Sequence, residues 1–122
     1  MKAVYQTDLS GDKGNCFQAC LASIFEIEIE SIPDFRESND HMLTFAQWCR
    51  DTFGLQPLDY PIPKNSDSWR PIGYHIILGP DITGRCTHAV VGLNGNIVFD
   101  PFPGVSALKQ PERIIVFVKV LK

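Results

Sequence analysis

Two spacings of apolar residues divide this chain. Over residues 16–25, Phe17, Cys20, Leu21, Ile24 and Phe25 recur at the period of a helix with one buried face. Asn15 stands just before them and is expected to cap that helix, its side-chain oxygen accepting a first-turn N–H. A second helical stripe, Met42, Phe45, Ala46, Cys49 and Phe53, follows Asn39 or Asp40 as cap and stops at Gly54, a residue suited to a left-handed helix end. Later the period shortens. Residues 74–78, 87–93, 96–100 and 113–121 are short apolar runs bounded by glycine, asparagine or charge, and read as strands, the middle two as a hairpin around Asn94-Gly95. Residues 55–60 suggest a further short strand and residues 2–7 a strand or extended segment. Residues 8–14 are a turn-rich loop, and residues 61–71 a Pro/Ser/Asn-rich one. Glu26-Ile27-Glu28-Ile29-Glu30 alternates like a strand, but Ser31-Ile32-Pro33 follows at once and makes it a helix end and connector.

Helices first and strands afterwards predict an α+β fold, with the first helix packed on one face of a mainly antiparallel sheet. The chain has 122 residues, 44% hydrophobic and 20% charged, which suits one domain spanning 1–122. A net charge of −3 without any Lys/Arg run argues against nucleic acid as a partner. No signal-like apolar segment opens the sequence and no run nears the roughly 18 apolar residues of a membrane span, so the expected setting is the cytoplasm. There Cys16, Cys20, Cys49 and Cys86 would stay reduced. Neither a C-x-x-C nor an H-x-x-x-H pair is present, so no metal site is expected either.

Four residues could form a catalytic set. Cys16 falls at the start of the first helix, where peptide dipoles favour a thiolate, and Gly14 before it permits a tight turn. His88 opens the apolar strand Ala89-Val90-Val91. A three-residue loop at Leu93-Asn94-Gly95 would set His88 opposite Asp100, with Ala89, Val91, Ile97 and Phe99 on the other face, whereas a two-residue Asn94-Gly95 turn would part the pair. Gln6 could fold back beside Cys16 and donate to an oxyanion, a role for which Asn15 and Gln18 compete. Cys20 and Cys49 read as core, His41 as solvated, and His75 has no carboxylate at a useful spacing. Arg85 could bind a substrate carboxylate or be a solvated loop charge. Trp69 and Trp48 could line a groove or anchor the core and loops. Asn15, Arg85 and Trp69 are the candidates for substrate contact.

The blocks Gly-Asn-Cys-Phe-Gln-Ala-Cys-Leu-Ala-Ser at 14–23 and His-Ala-Val-Val-Gly-Leu-Asn-Gly-Asn-Ile-Val-Phe-Asp-Pro at 88–101 resemble papain-like cysteine peptidases of the C39-like type. They are more similar still to a group of small uncharacterised phage and bacterial proteins. The resemblance implies a papain-like fold with Cys16 as nucleophile, His88 as base, Asp100 as its orienter and Gln6 in the oxyanion hole, although the gap from Gln6 to Cys16 is longer than that family's. It implies a thiol hydrolase or acyl transferase that needs no cofactor and acts on a peptide, protein or small amide, in the host cytoplasm if phage-encoded. The alternative is a catalytically silent papain-like binder of a host protein or small molecule. Composition and motifs leave the oligomeric state open.

Overall fold

The computed structural model describes residues 1–10, 14–64, 69–104 and 107–120. Helix α1 (Cys16–Phe25) ends at Glu26, whose left-handed backbone (φ 56°) lets its N–H reach the carbonyl of Ala22. The Glu/Ile connector then forms a 3-10 turn, Ile29–Ser31. A second such turn, Phe35–Glu37, gave no periodic signal in the sequence and precedes helix α2 (His41–Phe53). Asp40 caps α2 by accepting the N–H of Leu43 at 3.1 Å, and Gly54 closes it at φ 67°.

Five strands follow: β1 (Leu55–Pro61), β2 (Tyr74–Pro80), β3 (Thr87–Leu93), β4 (Asn96–Phe99) and β5 (Arg113–Lys119). They form one antiparallel sheet in the order β1-β5-β2-β3-β4. The last strand is thus inserted between the first two. Pro57 and Pro61 sit on β1, at the sheet's edge, where a missing N–H costs least. Residues 2–7 form no strand. They run extended past α1, Lys2 donating to the carbonyl of Ser23 at 3.0 Å and Val4 to its hydroxyl at 3.0 Å.

The core lies between α1, α2 and one face of the sheet. Cys20, Leu21 and Ala22 of α1 meet Ile76, Ala89, Val91 and Ile115, all essentially without solvent contact. An edge-to-face aromatic chain extends it: Phe17 on Phe45 (4.9 Å between centroids), Phe45 on Phe35 (5.2 Å), Phe35 on Trp48 (5.5 Å). Met42, expected on the buried stripe of α2, instead remains 47% exposed, because the stripe reaches the core only from Phe45 onward. No helix among the described residues is long and apolar enough to cross a membrane.

Candidate active site

Cys16 is the first residue of α1 and is partly accessible. The first intrahelical bond is made by Ala19, to the carbonyl of Asn15 at 2.9 Å. Asn15 does not cap the helix with its side chain, contrary to expectation. Its Oδ1 accepts the N–H groups of Thr7 and Asp8, each at 3.0 Å, and its Nδ2 donates to the Thr7 hydroxyl at 2.7 Å. The leading segment has no strand partner for these donors, and Asn15 supplies one. The first-turn N–H groups of α1 therefore lack a side-chain cap, and the positive end of the helix is left bare beside the sulfur.

The same tether brings Gln6 to the site. Its backbone N–H reaches the carbonyl of Pro101 at 3.0 Å, next to Asp100, and its side chain is buried. Nε2 donates to the carbonyl of Asp8 at 2.9 Å, which leaves one amide hydrogen uncommitted, while Oε1 is buried without a partner. Gly14 is needed for space rather than for a special turn: a Cβ there would lie 2.5 Å from the carbonyl oxygen of Ser10 and 3.3 Å from Gln6 Nε2.

The β3–β4 hairpin meets the Asp100 requirement by an unexpected route. The turn is the plain two-residue Asn94-Gly95, both with positive φ (53° and 88°), and Leu93 pairs with Asn96. Alone, this register would put His88 and Asp100 on opposite faces. Between Gly92–Ile97 and Val91–Phe99 the partner advances by two residues, so Val98 is a bulge. The extra residue restores the parity, and His88 Nε2 lies 2.7 Å from Asp100 Oδ1. The two-residue turn, before the bulge, pairs Ile97 with Gly92 and so takes it off the inner face, where it was expected; it is 49% exposed.

Asp100 is held firmly. Oδ1 also accepts the N–H of Phe102, and Oδ2 that of Ala107, both at 2.9 Å. Burial would raise its pKa, but the hydrogen bonds from His88 and these two amides hold it below the ordinary carboxylate value. Burial likewise acts to lower the pKa of His88, yet the hydrogen bond with Asp100 and the nearness of Asp100 and Cys16 prevail and raise it to about 9. Asp100 occupies Nε2, so Nδ1 is the ring nitrogen left for the thiol. Cys16 adds to the rise of the His88 pKa, but among the described residues no hydrogen bond joins its sulfur to the ring. Such contacts are commonly loose before substrate binds.

Cys16, His88 and Gln6 line one cavity of about 780 Å³, the size of a small-molecule or peptide site. Arg85 and Gln18 lie on its wall as well. Trp69 does not; it packs under the Arg70 guanidinium (5.3 Å), which reaches Asn96 at the hairpin. Trp48 belongs to the core. His41 is exposed on the cavity rim with Nδ1 bound to the carbonyl of Phe35. His75 is fully buried near the hairpin turn, its pKa lowered by burial. All four cysteines are free thiols. Burial raises the Cys20 thiol well above its usual value and pushes that of Cys49 up to about 12. The wall also holds Asp34 and Arg36, an ion pair at 2.9 Å on the second 3-10 turn. Sequence reasoning missed them, since a three-residue turn carries no period; Asp34 directly after Ile32-Pro33 was the one available hint of a turn there. Among the described residues no group of three or more His, Cys, Asp or Glu side chains is placed to hold a metal ion.

No protein-family model, curated protein or solved structure matches this chain.

Proposed function

We propose that this protein is a papain-like thiol hydrolase or acyl transferase that cleaves an amide or related acyl bond. One observation carries the reading: a partly accessible thiol at a bare helix N-terminus shares a cavity with a histidine whose far nitrogen is fixed by a triply hydrogen-bonded aspartate.

In this reading Nδ1 of His88 takes the Cys16 proton, or already holds it as an ion pair, and the sulfur attacks the substrate carbonyl carbon. The resulting oxyanion is held by the Cys16 N–H and by the uncommitted Nε2 hydrogen of Gln6. Asp100 keeps the proton on Nε2 and stabilises the imidazolium. As the tetrahedral adduct collapses, the carbon–nitrogen bond breaks and the leaving amine takes the proton from Nδ1. Water or a second amine then attacks the acyl-enzyme, returns a proton to Nδ1 and frees the thiol. Cys20, one turn along, stays protonated and takes no part.

Treatment with p-nitrophenyl butyrate, followed by peptide mapping, tests this. The expected result is a stoichiometric burst with the butyryl group on Cys16, lost in Cys16→Ala and strongly slowed in His88→Gln. Acylation elsewhere, or an unchanged burst in His88→Gln, overturns the assignment.

A further inference from the structure

We propose that the site takes amides formed between an apolar acyl group and an α-amino acid with a free carboxylate, and that Arg85 holds this carboxylate on the leaving-group side; this rests on the thiol-hydrolase reading above.

The cavity has a helix arm and a loop arm. On the helix arm the apolar lining is Leu9, Phe17, Phe35, Met42 and Phe45, beside the polar Asp34, Arg36 and His41. Leu9 and Met42 remain 48% and 47% exposed although apolar, and they come from separate segments that converge on this one cavity. An apolar acyl group laid there removes that surface from water, which is worth roughly 25 cal/mol per Å². On the other side, the loop between β2 and β3 contributes Ile82, Thr83 and Arg85, and β3 its first residue, Thr87.

Direction follows from the proton. His88 must hand it to the leaving nitrogen, so the leaving group passes on the His88 side of the thiol. Arg85 precedes His88 by three residues on that same wall. In an amino acid the carboxylate is two bonds from the nitrogen, which brings it toward this loop rather than toward the helix arm.

Charge points the same way. Two of the wall's three carboxylates are ion-paired, Asp34 with Arg36 and Asp59 with Arg113, each at 2.9 Å; Asp81 keeps its charge and accepts the Thr83 hydroxyl at 2.6 Å. Arg85 bonds through its backbone N–H to the Thr83 hydroxyl, but its guanidinium has no ion pair or hydrogen bond among the described residues. A cationic leaving group would meet an unneutralised cation, whereas a carboxylate would gain a charge-assisted contact. Hydrolysis then gives a carboxylic acid and a free amino acid, with water supplying the hydroxyl to the acyl carbon and a proton to the amine.

Matched thiol probes test this without a known substrate. N-iodoacetyl-leucine and N-iodoacetyl-leucinamide differ only in the carboxylate, and alkylation of Cys16 is followed by peptide mass spectrometry. The acid should react about tenfold faster, as a partly screened charge-assisted bond implies. That preference should shrink with added salt, vanish in Arg85→Met and survive in part in Arg85→Lys. Protection of Cys16 by N-decanoylglycine, or by an apolar pentapeptide with a free C-terminus, supports the proposal and tells whether free N-acyl amino acids or peptide ends are the source. Equal rates for the two probes in the unmodified protein, with alkylation still dependent on His88, overturn the Arg85 assignment and leave the thiol reading standing. Alkylation indifferent to His88 overturns both.

Discussion

Asp100 stands where a carboxylate is expensive to keep charged, and three donors aimed at its two oxygens offset that cost. Two consequences follow at this scale. Replacing Asp100 by alanine removes the largest support of the imidazolium and leaves Cys16 alone to oppose burial, so the His88 pKa should fall well below about 9, as read by NMR of the ring against pH. The second concerns stability. The folded pKa of His88 lies above its ordinary value, so the folded state binds this proton more tightly than the unfolded chain does. Its contribution is whole below about pH 6.5 and is lost as pH rises through about 9. The gap in Tm between the unmodified protein and His88→Gln should therefore be widest near pH 6 and narrow steadily toward pH 9.5. A gap that widens with pH would contradict the ion pair. Cys16, His88 and Gln6 could be picked out from residue type and setting. Asn15 could not be read correctly, because its partners, Thr7 and Asp8, depend on where a strandless segment lies.

At the scale of elements, the β3–β4 hairpin shows how a site can rest on one extra residue. A hairpin at Asn94-Gly95 was legible, but a shared face for His88 and Asp100 required a three-residue loop, and the structure has two residues there. The Val98 bulge that reconciles this turn with the shared face was not legible, since a bulge within an apolar Ile-Val-Phe run has no compositional mark. Deleting Val98 should return the hairpin to simple register and break the His88–Asp100 contact, seen as loss of the raised His88 pKa in a chain that retains its sheet by circular dichroism. Asn94 has a second duty: its side chain accepts the N–H of Gly73 at 2.7 Å, fastening the start of β2. Asn94→Ala loses this bond and an eased left-handed backbone together, and should cost about 1–2 kcal/mol in urea unfolding. Helices α1 and α2 were legible to within their ends from their period, and α2 also from its Asp40 and Gly54 caps, whereas the cap expected of Asn15 on α1 is not made. The Phe35–Glu37 turn was not, because it has neither.

Across the whole molecule, the layer of two helices on one antiparallel sheet was readable from the change in period along the chain. The strand order was not: nothing local marks β5 as the strand that enters between β1 and β2. That insertion sets Ile115 beside Ile76 in the floor under α1, and the aromatic chain through Phe45 joins the helices above it. Phe45 belongs both to this core and to the cavity wall. Phe45→Ala should cost about 3–5 kcal/mol of unfolding free energy. The central claim is that one thiol of the four is set apart by its helix end and by His88. Peptide-resolved alkylation with iodoacetamide between pH 5 and 9 measures this directly. The account predicts rapid reaction at Cys16 that depends on His88, with Cys20 and Cys49 inert until the protein unfolds. Comparable slow reaction at all four thiols, or a Cys16 rate unchanged in His88→Gln, would contradict it.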